Sequence, residues 1–279
     1  MRVALGQIPV SSRPAINAER VRAALTSAAE QGADLAVFPE ATQVRFGSDL
    51  QAAAEPLDGP FCSGLAAAAK QTGVALVAGV FEPAPDGRVY NTAVAFDDRG
   101  ELVASYRKLH LFDAFGHRES EIVAPGSAPV LCTLAGVRAG LEICYDVRFG
   151  ELSRALAVAG AQLLVLPAAW AAGPLKEEHW VTLVRARAIE NTVWVAAVGQ
   201  VPDPDEPPTK AATGVGRSLL VDPLGVVRVD MGPAAGVAVG SVDAGLVEEV
   251  RATVPSLANR REDVFGPPVL LALSRSADR

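Results

Sequence analysis

Short apolar runs recur along the whole chain, and they are joined in two different ways. The runs 3–8 and 35–38 flank an alanine-rich segment, 17–31, whose apolar residues stand three or four positions apart, as in a helix. The runs 89–96 and 102–108 are instead joined by a short turn of aspartate, arginine and glycine. Because strand–helix units and hairpins both occur over the full length, the pattern predicts an α/β fold of two mixed sheets, packed together with helices outside.

No feature of the sequence divides the chain into separate parts. There is no internal repeat, low-complexity segment or linker, and half of the 279 residues are hydrophobic, which is enough for a sizeable core. We therefore expect a single domain over residues 1–279, in which 255–279 form an extended C-terminal tail.

Charge and cysteine content exclude several classes of protein. The net charge is −7 without any lysine- or arginine-rich run, which argues against a nucleic-acid partner. The three cysteines, Cys62, Cys132 and Cys144, have neither metal-type nor redox-type spacing, so a reducing compartment fits them best. The N-terminus reads as a strand and no segment is suited to cross a bilayer. These features predict a cytoplasmic protein without a membrane partner.

The apolar run 137–143 ends abruptly in Cys144, and a helical pattern, 150–159, begins after a short polar turn. This order predicts a strand that delivers a thiol to the edge of a sheet. The free N–H groups of the turn and the helix N-terminus favour negative charge there, and the thiolate is the nucleophilic form of cysteine. Free cysteines are also often small buried core residues, and Cys144 taken alone leaves both interpretations open.

Two more polar residues stand where predicted strands end. Glu40 follows the run 35–38, and Lys108 closes the run 102–108. With Cys144 they would supply a base, a cation for an oxyanion and a nucleophile at one edge of the sheets. A second carboxylate would keep the lysine charged and in place, and Glu119 in the polar loop that follows is the candidate.

These stretches resemble the nitrilase superfamily of carbon–nitrogen hydrolases, in the right order and over essentially the whole chain. The matching motifs are Phe38-Pro39-Glu40, Tyr106-Arg107-Lys108-Leu109-His110-Leu111-Phe112-Asp113, Ile143-Cys144-Tyr145-Asp146-Val147-Arg148-Phe149, Pro167-Ala168-Ala169-Trp170 and Arg185-Ala186-Arg187-Ala188-Ile189-Glu190-Asn191. The resemblance implies a four-layer α-β-β-α sandwich and a Glu-Lys-Cys triad, with no metal and no organic cofactor. It also implies a homodimer or higher homo-oligomer, paired through the helices near the cysteine.

The resemblance further implies an amidase mechanism. Cys144 would attack the carbonyl of a small amide, with Glu40 as the base and later the acid that protonates departing ammonia. Lys108 and the backbone N–H of Tyr145 would hold the oxyanion, and Glu119 would position Lys108. A thioester on Cys144 would then be hydrolysed to the carboxylic acid.

The residues after the cysteine bear on the substrate. Cys-Tyr-Asp followed by Arg-Phe is similar to omega-amidases and deaminated-glutathione amidases, whereas nitrilases usually carry Cys-Trp-Glu. In this interpretation Arg148 pairs with a substrate carboxylate through its guanidinium fork, or else it braces the turn or a subunit interface. Trp170 either lines the substrate pocket or belongs to the core.

Other functions compete with this one. A papain-like hydrolase would use a histidine as the base, so replacing each of the three histidines would reveal it. A nitrilase or an N-carbamoyl amino acid hydrolase would share the fold and differ in the substrate. A non-catalytic binding protein with a nitrilase-like fold is the alternative of a different class, and such proteins usually lack a member of the triad, whereas here none is missing.

Overall fold

The computed structural model describes residues 1–207 and 209–266. Its strands are β1 (Arg2–Gln7), β2 (Leu35–Val37), β3 (Ala75–Pro83), β4 (Val89–Phe96), β5 (Leu102–Arg107), β6 (Val123–Ala124), β7 (Val130–Leu134), β8 (Val137–Leu141), β9 (Leu163–Ala168), β10 (Trp194–Gly199), β11 (Leu219–Val221), β12 (Val227–Asp230) and β13 (Gly236–Ser241). The span of β4 agrees with the predicted run 89–96 at both ends.

The strands form two sheets, and both are mixed. One has the order β13-β1-β2-β3-β4-β5, with the short β6 beside β4, and the other has the order β12-β11-β10-β9-β8-β7. The central strands β1, β2 and β3 run parallel, as do β8, β9 and β10. The outer pairs are antiparallel, apart from the short parallel pair of β4 and β6. Parallel strands therefore end together at one edge of each sheet, which is where the sequence places its polar residues.

The helices flank these strands. They are α1 (Pro14–Glu30), α2 (Leu50–Ala53), α3 (Pro60–Thr72), α4 (Gly150–Val158), α5 (Lys176–Asn191), α6 (Ala244–Thr253) and α7 (Glu262–Phe265), with 3-10 turns at Glu119–Glu121 and Cys144–Arg148. The bounds of α3 show how local chemistry sets them. Pro60 begins the helix because its missing N–H is not needed there, and Gly73 ends it with φ 66°, a left-handed conformation that glycine adopts at low cost.

Successive side chains of a strand point to opposite faces of its sheet, and this alternation shows which layers lie on either side. In β1 the side chains of Val3 and Leu5 face the core between the two sheets, while Ala4 between them packs with α1 and α3. On the far side of the second sheet, α4 contacts β8, and α5 contacts β10 and β11. The layers are thus helix, sheet, sheet and helix, which confirms the predicted α-β-β-α sandwich.

The segment after α6 differs from the predicted extended tail as far as it is described. Residues 255–259 turn back, with Ser256 donating its hydroxyl to the carbonyl of Glu190 (3.2 Å), and α7 follows. This contact joins residues 66 positions apart, so no local pattern in the sequence could predict it. The remainder of the predicted tail, 267–279, lies outside the described residues. Within the described residues, no helix has the length and apolar character needed to span a bilayer.

Candidate active site

Glu40 is held by a turn that lies directly on a neighbouring strand. The turn follows β2, and its next residue, Ala41, has the left-handed φ of 56°. A Cβ added to Gly79 of β3 would come within 2.4 Å of the Ala41 nitrogen, so only glycine allows this approach. The Glu40 side chain is 1% exposed, and its Oε2 accepts a hydrogen bond from the backbone N–H of Ala169 (2.8 Å). The carboxylate is therefore buried in a fixed orientation.

Lys108 follows β5 and lies between two carboxylates. Its Nζ is 2.8 Å from Oε1 of Glu40 and 2.9 Å from Oε2 of Glu119, and its side chain is 2% exposed. Burial lowers the pKa of this lysine, but the charges of Glu119 and Glu40 outweigh that effect and hold the pKa well above its ordinary value. The ammonium is thus charged at any physiological pH.

Asn91 completes the cluster of Glu40, Lys108 and Glu119, and it was not among the residues predicted from the sequence. Its side-chain amide donates to Oε1 of Glu40 (2.8 Å) and to Oε1 of Glu119 (3.1 Å), and its backbone carbonyl accepts from the Lys108 N–H (2.9 Å). The backbone N–H of Phe112 donates to the other oxygen of Glu119 (2.6 Å). The signal available in the sequence was an amide inside the predicted strand 89–96, since a polar side chain buried in a sheet needs a hydrogen-bond partner.

Cys144 begins a 3-10 turn just past β8 and lies next to Glu40. Its φ is 46°, a strained value for a residue with a side chain, and it is 8% exposed. Burial and the neighbouring Glu40 raise the pKa of the Cys144 thiol well above its ordinary value, and the opposing effect of Lys108 is smaller. The sequence led us to expect an environment that favours the thiolate, but burial dominates. The group at rest is therefore the neutral thiol, and the Glu40 carboxylate lines the same cavity beside it.

Asp146 joins the cysteine turn to the strand that carries the lysine. One oxygen accepts from the Ile143 N–H (2.9 Å) and from the hydroxyl of Tyr106 (2.8 Å). The other accepts from the backbone N–H of His110 (3.0 Å) and lies 2.7 Å from its Nδ1. Tyr106 and His110 stand two residues on either side of Lys108, so a single buried carboxylate fixes the nucleophile relative to the cation.

The cluster forms the wall of a cavity of about 400 Å³. Glu40, Lys108, Glu119 and Cys144 all line it, and Tyr145 and Trp170 do so too. The cavity is within the usual size range of small-molecule sites. All the predicted catalytic residues, and two of the three predicted substrate contacts, therefore meet in one place.

Arg148 is the exception, because it does not line the cavity. Its guanidinium lies over the ring of Trp170, 4.9 Å from the centroid, and one of its nitrogens is 3.5 Å from Nδ1 of His179. These two contacts agree with the bracing alternative, and the contact with a substrate carboxylate stays a prediction.

The rival chemistries can be compared with the same geometry. A carboxylate, Glu40, is the partner of the thiol, whereas a papain-like site would place a histidine there. In residues 1–207 and 209–266, no three histidine, cysteine, aspartate or glutamate side chains converge as metal ligands would.

Glu142 lies behind the cysteine and supplies a test of the local electrostatics. It is 1% exposed, and only Oε1 has a described partner, the hydroxyl of Ser153 at 2.6 Å. Burial raises the pKa of Glu142 to about 8. Because the unfolded chain loses this proton near its ordinary pKa of about 4.3, the stability that the protonated acid contributes is lost as the pH rises towards 8.

We expect Glu142→Gln to remove this pH dependence. Relative to the parent, the free energy of unfolding of the variant should rise by about 3 kcal/mol between pH 5 and pH 8, since glutamine resembles the neutral acid. Urea unfolding at pH 5, 6.5 and 8 measures the difference, with Glu151→Gln on the exposed face of α4 as the control. Parallel stability curves for parent and Glu142→Gln would contradict the buried neutral acid.

Comparison with known proteins shows which family this chain is similar to. Residues 2–252 match the family model described as carbon-nitrogen hydrolase. A hydrolase of Mycobacterium tuberculosis is 43% identical over 95% of this chain and 97% of its own length. The deaminated glutathione amidase of Escherichia coli O157:H7 is 39% identical over 97% of this chain and all of its own. The omega-amidase of Danio rerio is 34% identical over 95% of this chain and 96% of its own length.

A solved structure gives the same result at the level of the fold. A mutant amidase from Nesterenkonia superimposes with a TM-score of 0.78 at 27% identity, covering 95% of both chains. It is described as showing covalent addition of the acetamide moiety of fluoroacetamide at the active-site cysteine.

Proposed function

Because the chain belongs to the carbon–nitrogen hydrolase family, we propose that it hydrolyses a small linear amide to a carboxylic acid and ammonia through a thioester on Cys144. The observation that carries this proposal is the contact set of Glu40. Its carboxylate meets the Lys108 ammonium at 2.8 Å and lines the same cavity as Cys144, and its charge acts on the Cys144 thiol. A base, a nucleophile and a fixed positive charge stand within reach of one substrate carbonyl.

In the proposed acylation, the thiol proton of Cys144 passes to Glu40 as sulfur bonds to the amide carbonyl carbon. The oxyanion that forms is held by the Lys108 ammonium and by the backbone N–H of Tyr145, since N–H groups in the first turn of a helix lack intrahelical partners. The C–N bond then breaks, Glu40 returns the proton to nitrogen, and ammonia leaves.

Deacylation runs through the same groups. Glu40 takes a proton from water, the oxygen bonds to the thioester carbon, and the same two donors hold the second oxyanion. Collapse breaks the C–S bond, and the proton held by Glu40 goes to sulfur, which restores the thiol. Glu119 and Asn91 act through Lys108 and Glu40 by fixing their positions.

We propose an omega-amidase or a deaminated-glutathione amidase as the type of enzyme. Relatives with these two names align over nearly the full chain, and the acetamide adduct of the Nesterenkonia amidase supports covalent catalysis by cysteine on this fold. Nitrile and N-carbamoyl substrates would use the same acyl-enzyme step, so they belong in the same assay.

The experiment is ammonia release from a panel of substrates, combined with intact-mass detection of the acyl-enzyme. The panel contains α-ketoglutaramate, α-ketosuccinamate, deaminated glutathione, aliphatic amides, a nitrile and an N-carbamoyl amino acid. Proteolysis of the trapped adduct should place it on the peptide that contains Cys144, and a Cys62→Ala protein should give the same adduct. An adduct on another residue, or no turnover of any carbon–nitrogen bond in the panel, would contradict the proposal.

We also propose that the enzyme works as a homodimer in the reducing cytoplasm. The helices next to the cysteine turn carry exposed apolar side chains, Val158 on α4 and Ile189 on α5, at 37% and 48% exposure. All three cysteines are free, as a reducing compartment requires. Light scattering should give about twice the mass of one chain, and a monomer at micromolar concentration would contradict the dimer.

A further inference from the structure

Lys176, the first residue of α5, is a cation in the cavity that the mechanism above does not use. It is 5% exposed and lines the same cavity as Cys144. In the described part of the chain, no carboxylate forms an ion pair with its ammonium, and no hydrogen bond of Nζ to a protein acceptor is present. A buried charge without a partner is costly, so a site of this kind indicates a ligand that supplies the missing charge.

Aromatic rings surround the ammonium where an acidic partner would be expected. Nζ lies 4.6 Å from the ring centroids of Phe115 and Trp170 and 5.1 Å from that of Phe112. These contacts attract the cation, but they leave its hydrogen-bond donors unused.

The backbone holds Lys176 firmly in this position. Its carbonyl accepts a hydrogen bond from Nε1 of Trp170 (2.7 Å), the residue whose ring its side chain covers, and its N–H donates to the Gly173 carbonyl (3.1 Å). Lys176 also stands at the N-terminus of the 16-residue helix α5, where the backbone dipoles favour a nearby anion.

The other cations around the cavity are less suited to bind an anionic ligand. Lys108 is neutralised by Glu40 and Glu119, and Arg118 is 73% exposed beside Glu121. Arg148 lies outside the cavity wall, yet its charge still acts on Lys176. The catalytic end of the cavity therefore holds two carboxylates and one ammonium, whereas the Lys176 end carries positive charge without an ion-paired carboxylate among the described residues.

We propose that Lys176 is a specificity-determining residue that binds a carboxylate at the end of the substrate remote from the scissile amide. This inference rests on the proposed amidase function and narrows its substrates to monoamides of dicarboxylic acids and their relatives. One Nζ–H would donate to each carboxylate oxygen within reach. The amide end would meanwhile reach Cys144.

The test compares matched substrates that differ in one charge. Succinamate, glutaramate and adipamate are each paired with the neutral amide in which an isopropyl group replaces the carboxylate. The parent should prefer the best anionic amide over its neutral partner by about 30-fold in kcat/KM, the effect of one charge-assisted hydrogen bond. Lys176→Met should reduce this preference to below about threefold, mainly by raising KM for the anionic amide. Lys176→Arg should retain most of it.

A matched control is Lys70→Met, which removes an exposed lysine from α3 and should keep the preference of the parent. If Lys176→Met lowered kcat/KM equally for the anionic amide and for its neutral partner, the lysine would only support the structure, and the proposal would fail. A parent without any preference would also overturn the proposal.

Binding of the product dicarboxylate separates this inference from the proposed function. Calorimetry with succinate, glutarate and adipate needs no turnover, so it decides the role of Lys176 even if the parent hydrolyses none of the amides. Binding to the parent that weakens at least tenfold in Lys176→Met supports the inference. Equal binding to both proteins, or no binding to the parent, overturns it.

Discussion

A Cys144→Ala protein is expected to release ammonia from the best amide substrate at least about 10⁵-fold more slowly than the parent, because removing a nucleophile eliminates the covalent route. No other thiol lines the described cavity. Cys62 lies on the buried face of α3 and Cys132 lies in β7, and burial raises the pKa of both thiols to about 12. Neither can replace Cys144 as the nucleophile.

The measurement is initial-rate ammonia release at saturating substrate, with the thermal unfolding of each protein recorded beside it. Cys62→Ala is the matched control, and it should retain activity within about twofold because the residue only packs in the core. Cys144→Ser tests the chemistry further. Its hydroxyl is a weaker nucleophile, so we expect a loss of at least about 10³-fold. A Cys144→Ala protein with a tenth of the parent rate would disprove the thioester mechanism.

A Lys108→Met protein is expected to lose both activity and stability. Losing an oxyanion donor typically lowers kcat by about 10²–10³-fold. A further loss follows because Glu40 and Glu119, which meet at the amide of Asn91, would face each other without a cation and share a proton. With the base part-protonated, we expect a total decrease of about 10⁴-fold in kcat/KM.

The stability change has a defined pH dependence. At pH 7 the unpaired buried carboxylates should lower the free energy of unfolding by about 3 kcal/mol relative to the parent. The deficit should shrink towards pH 5, because uptake of a proton neutralises one carboxylate in the folded variant. Urea unfolding at both pH values measures this, with the exposed Lys70→Met as the control. A Lys108→Met protein that is as stable as the parent at pH 7 would show that the buried triplet carries less charge than the structure implies.

Local signals set most element boundaries. The bounds of β4 match the predicted run 89–96 at both ends, and α4 begins at Gly150, where the predicted helical pattern begins. Where prediction and structure differ near the cysteine, backbone geometry is the cause. β8 stops at Leu141, two residues before the predicted end, where the chain turns into the strained Cys144.

Local patterns of residues were sufficient for the fold class and for the positions of Glu40, Lys108 and Cys144, because each follows a strand and such strand ends converge at one edge of a sheet.

The contacts that hold these groups, and the other side chains that reach the cavity, became visible only in the folded structure. Asn91 joins Glu40 across 51 positions, and Asp146 joins Tyr106 across 40. Arg148 stacks outside the cavity wall, while Lys176 is inside it without an acidic partner among the described residues. Such contacts depend on where side chains point after the layers have packed, and no local pattern of residues encodes that direction.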